Sequence, residues 1–169
     1  MNQVIEIQKS GPLFEQPEAV IQEGTDRFIT EVTALLENAV KSITPVGVFG
    51  AQGGLLSTIH GETVDLGTPS AMGIVGHQSP YGDVIEMGRR PGGKMPPEGS
   101  LIRWIEVVLG ADENTAKRLE FPIRRKIAQK GFAGAMMFEM GLEMSKEQIA
   151  AIAEKCGIGI AYKLGGGEA

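Results

Sequence analysis

The stretch from Ser79 to Trp104, SPYGDVIEMGRRPGGKMPPEGSLIRW, constrains the fold more than any other part of the 169-residue chain. Pro80 suits the first position of a helix, and Gly88 suits the residue that ends it. Pro97 suits the start of another helix, which a glycine ends after Leu109. The stretch therefore predicts a short helix, an exposed basic loop and a second helix, Glu98 to Leu109.

The same stretch contains most of a phosphate-binding sequence, Gly88-x-x-x-x-Gly93-Lys94. In a working phosphate loop, a Ser or Thr follows the lysine and binds magnesium. Met95 follows it here, and a thioether is a poor ligand for a hard cation. Two prolines come next and remove backbone amides that would face the nucleotide. The sequence therefore predicts an exposed basic loop and no NTPase.

Composition favours a globular protein, because 42% of the residues are hydrophobic. No apolar run approaches the ~20 residues that cross a bilayer, and the first residues lack a secretion pattern, so we expect synthesis in the cytoplasm and no membrane contact. The single cysteine, Cys156, excludes an internal disulfide and is expected to be a small packed residue. No Ser-His-Asp series, carboxylate pair or histidine cluster stands out, which predicts no enzyme, no cofactor and no metal site.

Charge is distributed unevenly along the chain, whose net charge is −5. A negative total argues against general nucleic-acid binding, which depends on excess positive charge. Two basic clusters nevertheless stand out: Arg89, Arg90, Lys94 and Arg103, and then Arg124, Arg125, Lys126 and Lys130. Such segregation favours contacts between complementary patches, although ordinary solvated helix faces explain either cluster alone equally well.

Hydrophobic spacing in the first half predicts a helix and a hairpin. The helix runs from Thr25 to Ile43 and could start as early as Pro17, although Gly24 would weaken that extension. Leu55 to Leu66 has extended character, with a bulge or tight turn at its central glycine. After a turn at residues 67–70, Met72 to His77 is the returning strand.

The second half is predicted to be mainly helical. Asp112 caps a helix that Gly131 ends, and Pro122 either kinks it or starts a new helix. Leu101, Ile102, Ile105, Val108 and Leu109 are the predicted buried stripe of the preceding helix, with Trp104 at its edge.

The last third is predicted to contain two helices and a strand. Residues 133–144 are helical, a capping box at Ser145 opens a helix to Lys155, and 158–164 form a last strand. Four methionines here suit core filling or an adaptable interface: Met136, Met137, Met140 and Met144. The whole chain is predicted to be a single α+β domain, a small antiparallel sheet built on the β-hairpin and packed against several α-helices. Its ends, residues 1–16 and 165–169, are expected to be flexible.

Between Thr44 and Leu142, residues typical of one protein family occur in a fixed order. They are Pro45, Gly54-Leu55-Leu56, Tyr81-x-x-x-x-Glu86-x-Gly88-Arg89, Pro91-Gly92, Pro96-Pro97, Ile102 with Trp104, and Ile123-Arg124-Arg125-Lys126-Ile127-x-x-x-Gly131. This series resembles the neck and tail-completion proteins of long-tailed bacteriophages, also called minor tail or virion morphogenesis proteins. The chain departs from the family pattern at Gly82, a mild change from the usual alanine, and at Pro122 within a helix. Residues 1–43 and 143–169 carry no signature of the family.

The resemblance implies a structural subunit without catalytic activity. Such subunits assemble as a homo-oligomeric ring in the head-to-tail connector of the virion, around the DNA channel. Other connector and tail proteins are the implied partners, and non-specific contact with packaged DNA is compatible with this position. A different function, suggested by the basic clusters alone, is that of a nucleic-acid-binding accessory protein.

The predicted subunit-interface residues are Tyr81, Glu86, Arg89, Arg90, Lys94, Arg124 and Arg125. The basic loop offers no evident internal partner for Arg89 or Arg90, so one of them is expected to pair with an acidic residue of a neighbouring subunit or ring. The alternative is that Glu86 pairs with one of these arginines locally and only stabilises the loop.

Overall fold

The computed structural model describes residues 11–48 and 54–164, which form an α+β structure as predicted. The helices and strands in chain order are α1 (Pro12–Glu15), α2 (Pro17–Ile43), α3 (Leu55–Thr58), β1 (Ile59–Val64), β2 (Met72–His77), α4 (Gly82–Met87), β3 (Gly88–Arg89), α5 (Ile102–Leu109), α6 (Glu113–Lys130), β4 (Phe132–Ala133) and α7 (Met137–Leu164). Strand β1 pairs with β2, and β3 pairs antiparallel with β4. The segments predicted to be flexible at residues 1–10 and 165–169 lie outside the described residues, whereas Pro12–Glu15 is helical.

The chain divides into two compact units. Unit 1 comprises residues 1–37, 61–75 and 144–169, and unit 2 comprises residues 38–60 and 76–143. Helices α2 and α7 and the β1–β2 hairpin contribute residues to both. That the whole chain behaves as a single domain stays a prediction.

In unit 1, the hairpin packs against α2 through glycines. Gly61 lies inside β1 and not at a tight turn, and a Cβ there would lie 2.8 Å from Cγ2 of Thr33. A Cβ on Gly73 would overlap the Thr33 hydroxyl. These two positions therefore let the strands approach the helix closely, which a side chain would prevent.

Unit 1 also explains why α2 begins at Pro17 despite Gly24. A Cβ on Gly24 would overlap the side chain of Ile160 on α7, so the glycine admits a close helix contact. Nearby, Lys163 Nζ lies 2.6 Å from Glu23 Oε1. Tertiary packing of this kind outweighs the weak helix propensity of glycine.

In unit 2, the end of α2 packs against the start of α7. Val40 and Met137 are almost fully buried, and a Cβ on Gly141 would lie 2.9 Å from Cγ2 of Val40. The Thr44 hydroxyl donates to the sulfur of Met137 at 3.4 Å. Met137 therefore fills the core, whereas three nearby methionines are exposed: Met136, Met140 and Met144. Core filling is thus correct for one of the four methionines and wrong for the other three.

Helices α5 and α6 form another part of the core of unit 2. Ile105 and Ala116 are fully buried, and the buried carboxylate of Glu120 accepts a 3.3 Å hydrogen bond from the amide of Leu101. The predicted cap is confirmed, since Asp112 Oδ1 accepts from the amides two and three residues later. Helix α6 continues through Pro122, so the alternative that a new helix starts there is wrong.

The start of α5 and its buried stripe differ from the prediction. The helix begins at Ile102 and not at Glu98, because residues 98–101 form a turn in which Gly99 has a φ of 81°. Val108 and Leu109 are about half exposed, so the predicted stripe is wrong at these two positions. Trp104, at 39% exposure, lies at the edge as expected.

Helix α7 replaces three predicted elements. It runs without interruption from Met137 to Leu164, so no new helix opens at Ser145 and residues 158–164 are not a strand. Ser145 lies within this helix and is buried, and Cys156 is also buried on it, as predicted.

The predicted strand from Leu55 starts as a helical turn, α3, and becomes extended only at Ile59.

Candidate functional site

Two hydrogen bonds connect the backbone of the predicted basic loop to helix α6. The loop covers residues 90–97, between β3 and the turn that precedes α5. The amide of Gly92 donates to the carbonyl of Ala128 at 2.8 Å. At the other end, Arg124 Nε donates to the carbonyl of Pro96 at 2.7 Å. Both ends of the loop are therefore anchored to one helix.

Arg89 has an internal partner that the sequence did not reveal. Its guanidinium donates to the carbonyl of Lys94 and so bridges the loop. Its backbone lies in β3, where it is opposite Phe132 of β4. Arg89 thus stabilises the loop, and the prediction that the loop offers it no internal partner is wrong.

Arg124 is likewise used within the subunit. It is partly buried, and its bond to Pro96 joins α6 to the loop across 28 positions of sequence. Arg89 and Arg124, two of the predicted interface residues, therefore make contacts that position the loop.

The remaining cations of the predicted site face solvent. Arg90, Lys94 and Arg125 are exposed, and their side chains form no hydrogen bond or ion pair with any described residue. Arg90 and Lys94 lie on the anchored loop, and Arg125 lies on the helix that anchors it. We call these three residues the basic surface. Because its support is fixed by hydrogen bonds, the basic surface presents its charges from a defined backbone.

Glu86 pairs with neither Arg89 nor Arg90. Its carboxylate accepts hydrogen bonds from the backbone amides of Met137 at 2.7 Å and Phe138 at 3.2 Å, at the N-terminus of α7. A negative charge is favourable at a helix N-terminus, where amides lack partners within the helix. The predicted local pairing is therefore wrong, and the role of Glu86 inside the subunit is that of a helix cap.

Tyr81 lies at the N-terminal boundary of α4. The helix starts at Gly82, two residues later than expected from Pro80, and the amide of Tyr81 donates to the hydroxyl of Ser79 at 3.4 Å. The Tyr81 side chain is 45% exposed, which leaves its ring accessible.

Gly82 is required by a neighbour. A Cβ at this position would overlap the ring of His77, whose centroid lies 6.0 Å from that of Phe138. His77 Nε2 lies 3.3 Å from Asp83 Oδ1, while its buried Nδ1 has no hydrogen-bond partner among the described residues. The departure from alanine at Gly82 is therefore not a mild change in this chain.

The geometry around Gly88 and Lys94 is not that of a phosphate loop. Helix α4, and not a buried strand, precedes Gly88, and no helix begins until Ile102. The carbonyl of Lys94 is already bound by Arg89. The strand–loop–helix arrangement that binds nucleotide phosphates is therefore missing from residues 82–102.

Within residues 11–48 and 54–164, no group of three or more His, Cys, Asp or Glu side chains could hold a metal ion. Of the helices in these ranges, none combines the length and the apolar character that a membrane span requires.

In comparisons with known proteins, no family model, no curated protein and no solved structure matches this chain. The resemblance to phage neck proteins therefore depends on the residues quoted above, and it stays a prediction.

Proposed function

We propose that this protein is a structural subunit that assembles with copies of itself in the head-to-tail connector of a bacteriophage. The observation that supports it most directly is the basic surface, Arg90, Lys94 and Arg125, held on a backbone-anchored loop and helix without a described acidic partner. Arginine in a fixed setting is well suited to directional pairing with carboxylates. The ordered series of residues between Thr44 and Leu142 supports the phage assignment.

Assembly of identical copies through two different surfaces has a geometric consequence. A contact in which one patch of a subunit meets another patch of the next copy closes into a ring when the rotation allows it. Each contact can be modest, because a closed ring repeats it and every subunit is held on two sides. No step of this function requires bond-making chemistry.

The proposal is tested on the purified full-length chain and on particles of the phage that encodes it. We expect the weight-average mass of the protein to rise with its concentration up to about 1 mM. A contact with a binding free energy of about −4 kcal/mol has a dissociation constant of about 1 mM, so about half of the contacts form at that concentration. Mass spectrometry of purified virions should detect the protein in stoichiometric amounts, and cryo-electron microscopy should locate it as a ring. Absence from virions, or release of phosphate from ATP by the pure protein, would overturn the proposal.

A nucleic-acid-binding accessory protein is the second candidate function. The exposed cations of the basic surface and the neighbouring Lys126 and Lys130 favour it. Phosphate contacts by these residues would give an affinity that falls steeply with salt. Fluorescence anisotropy with a labelled duplex at low and moderate salt separates the two functions, because a ring subunit needs no such binding in isolation.

A further inference from the structure

The two compact units carry opposite net charges. Unit 1 contains twelve acidic and five basic residues, a net charge of −7, whereas unit 2 contains nine acidic and eleven basic residues, a net charge of +2. The sequence of unit 1 is therefore acidic overall and that of unit 2 is slightly basic. Complementary potentials of this kind guide association and fix its orientation.

Unit 1 exposes a sheet face that combines acids with apolar side chains. Gly61 and Gly73 face α2, so the residues that alternate with them along each strand point away from the helix. On that outer side Glu62, Met72 and Ile74 are exposed. Two further exposed residues, Asp65 and Leu66, follow β1 in the turn. We call these five exposed residues, three on the outer side of the sheet and two in the adjoining turn, the hairpin face: Glu62, Asp65, Leu66, Met72 and Ile74.

The hairpin face is held in place by hydrogen bonds to α2. Asp26 Oδ2 accepts from the amide of Gly67 at 2.8 Å, and Gln22 donates to the carbonyl of Thr68 at 2.9 Å. Along β1, the amide of Gly61 donates to Glu37 at 2.9 Å. The turn and one strand are thus fixed before any partner binds, which lowers the ordering cost of association.

We infer that the hairpin face of one copy binds the basic surface of a second copy. Glu62 and Asp65 supply carboxylates for Arg90, Lys94 and Arg125, and the exposed Met95 beside Lys94 supplies apolar contact for Met72 and Ile74. The occupant is a second copy because the same chain carries both the cationic and the anionic surface, each on a preformed support. This inference rests on the proposed function and names the two surfaces that meet.

The two surfaces belong to different parts of the chain, so the contact is heterologous. A subunit that binds through its basic surface still has a free hairpin face for the next copy. The inferred contact therefore extends assembly beyond a dimer, whereas an isologous contact would stop there.

Two charge variants of the full-length protein test the inference by sedimentation velocity. The loop variant is Arg90→Glu/Arg125→Glu, and the hairpin variant is Glu62→Arg/Asp65→Asn. Asparagine is chosen at Asp65 because the residue has a φ of 55°, which asparagine tolerates. We expect each variant alone to associate at least about tenfold more weakly than the wild type. An equimolar mixture of the two variants should regain association. The reversed loop of one variant then meets the reversed hairpin of the other, and their unchanged surfaces pair as in the wild type.

Matched controls carry the same charge changes at exposed positions outside both surfaces. They are Lys117→Glu/Arg118→Glu in the first half of α6 and Glu147→Arg/Glu154→Gln on α7. Both should associate like the wild type, and thermal melts should show all four variants folded. A hairpin variant that associates normally while the loop variant does not would overturn this inference and leave the proposed function standing. A wild type that stays monomeric at every concentration would overturn both.

Discussion

A 2.7 Å hydrogen bond joins the amide of Met137 to the carboxylate of Glu86, so an acid on α4 caps the first turn of α7. The backbone strengthens the same junction, because the carbonyl of Glu86 accepts from the amide of Met136 at 3.1 Å. These residues are separated by about fifty positions. The bond therefore ties two distant segments of unit 2 together and does not depend on a second subunit.

Replacing Glu86 should lower the stability of the isolated subunit. We expect Glu86→Ala to cost about 1–2 kcal/mol, as other lost N-terminal caps do, and Glu86→Gln to cost less because its oxygen still accepts. Urea denaturation measures both. Glu98→Ala is the control, since Glu98 is exposed and has no described partner. Equal stabilities of Glu86→Ala and Glu98→Ala would contradict the capping role.

Introducing a side chain at Gly82 should be destabilising. Gly82→Ala places a methyl group in the position of the His77 ring, and such overpacking costs about 1–3 kcal/mol. Gly76→Ala serves as the control, because a Cβ at Gly76 meets nothing within 4 Å. The cost of Gly82→Ala should fall sharply in a His77→Ala background. If the two changes are additive in denaturation experiments, the predicted clash does not exist.

Removing the proline inside α6 should raise stability. Pro122 cannot donate to the carbonyl four residues earlier, and its ring crowds that turn of the helix. We therefore expect Pro122→Ala to increase the free energy of unfolding by about 1–3 kcal/mol. Gln129→Ala, at another exposed position of α6, should change it by only a few tenths of a kcal/mol. A lower stability of Pro122→Ala would show that the helix requires the proline.

Acid should weaken the cap of α6. A hydrogen bond from the Thr115 hydroxyl, together with bonds from the amides of Thr115 and Asn114, lowers the pKa of Asp112 below its ordinary value of 3.8. Because the pKa is lower in the folded than in the unfolded chain, this carboxylate stabilises the fold fully above its unfolded pKa. That contribution is lost as pH falls through the folded value.

The measurement is the urea midpoint of wild type and Asp112→Asn between about pH 5 and pH 2. Asparagine keeps a capping oxygen but does not titrate. The midpoint of the wild type should therefore decline more steeply with acid than that of the variant. Parallel declines would mean that the Asp112 carboxylate contributes no pH-dependent stability.

Features whose causes are local were predictable from the sequence. Asp112 and Gly131 mark the boundaries of α6 because capping depends on residues one to three positions away. Strand β2, Met72–His77, was predicted with its exact bounds because a turn and an apolar run define it. The α+β class follows from such signals taken together.

Features whose causes are distant in sequence were not predictable. Ser145 begins a sequence that suits a capping box, yet it is buried in the middle of α7. Near the end of that helix, Ile160 packs against α2 at Gly24, where a side chain would leave no room. The residues around position 160 give no sign of this contact, because Gly24 is far away in the sequence. Tertiary contact therefore overrode the local helix and strand signals of the last third.

The candidate site shows the same division. Arg89, Arg124 and Glu86 were assigned to a neighbouring subunit or to one another because a sequence displays charges but not backbone partners. Their actual partners are carbonyls and amides between 5 and 52 positions away. Of the charged residues predicted at the interface, Arg90, Lys94 and Arg125 have side chains that make no such internal contact with a described residue, so they stay available for the predicted intermolecular role.

The conformation of the basic loop does not depend on the charged side chains of Arg90 and Lys94. The backbone amide of Gly92 and the backbone carbonyls of Pro96 and Lys94 fix its path. Every residue type except proline has both a backbone carbonyl and a backbone amide. Mutation at positions 90 and 94 can therefore change which partner is recognised while the loop keeps its conformation. Over evolution, such a platform allows a new binding preference to arise without a new fold.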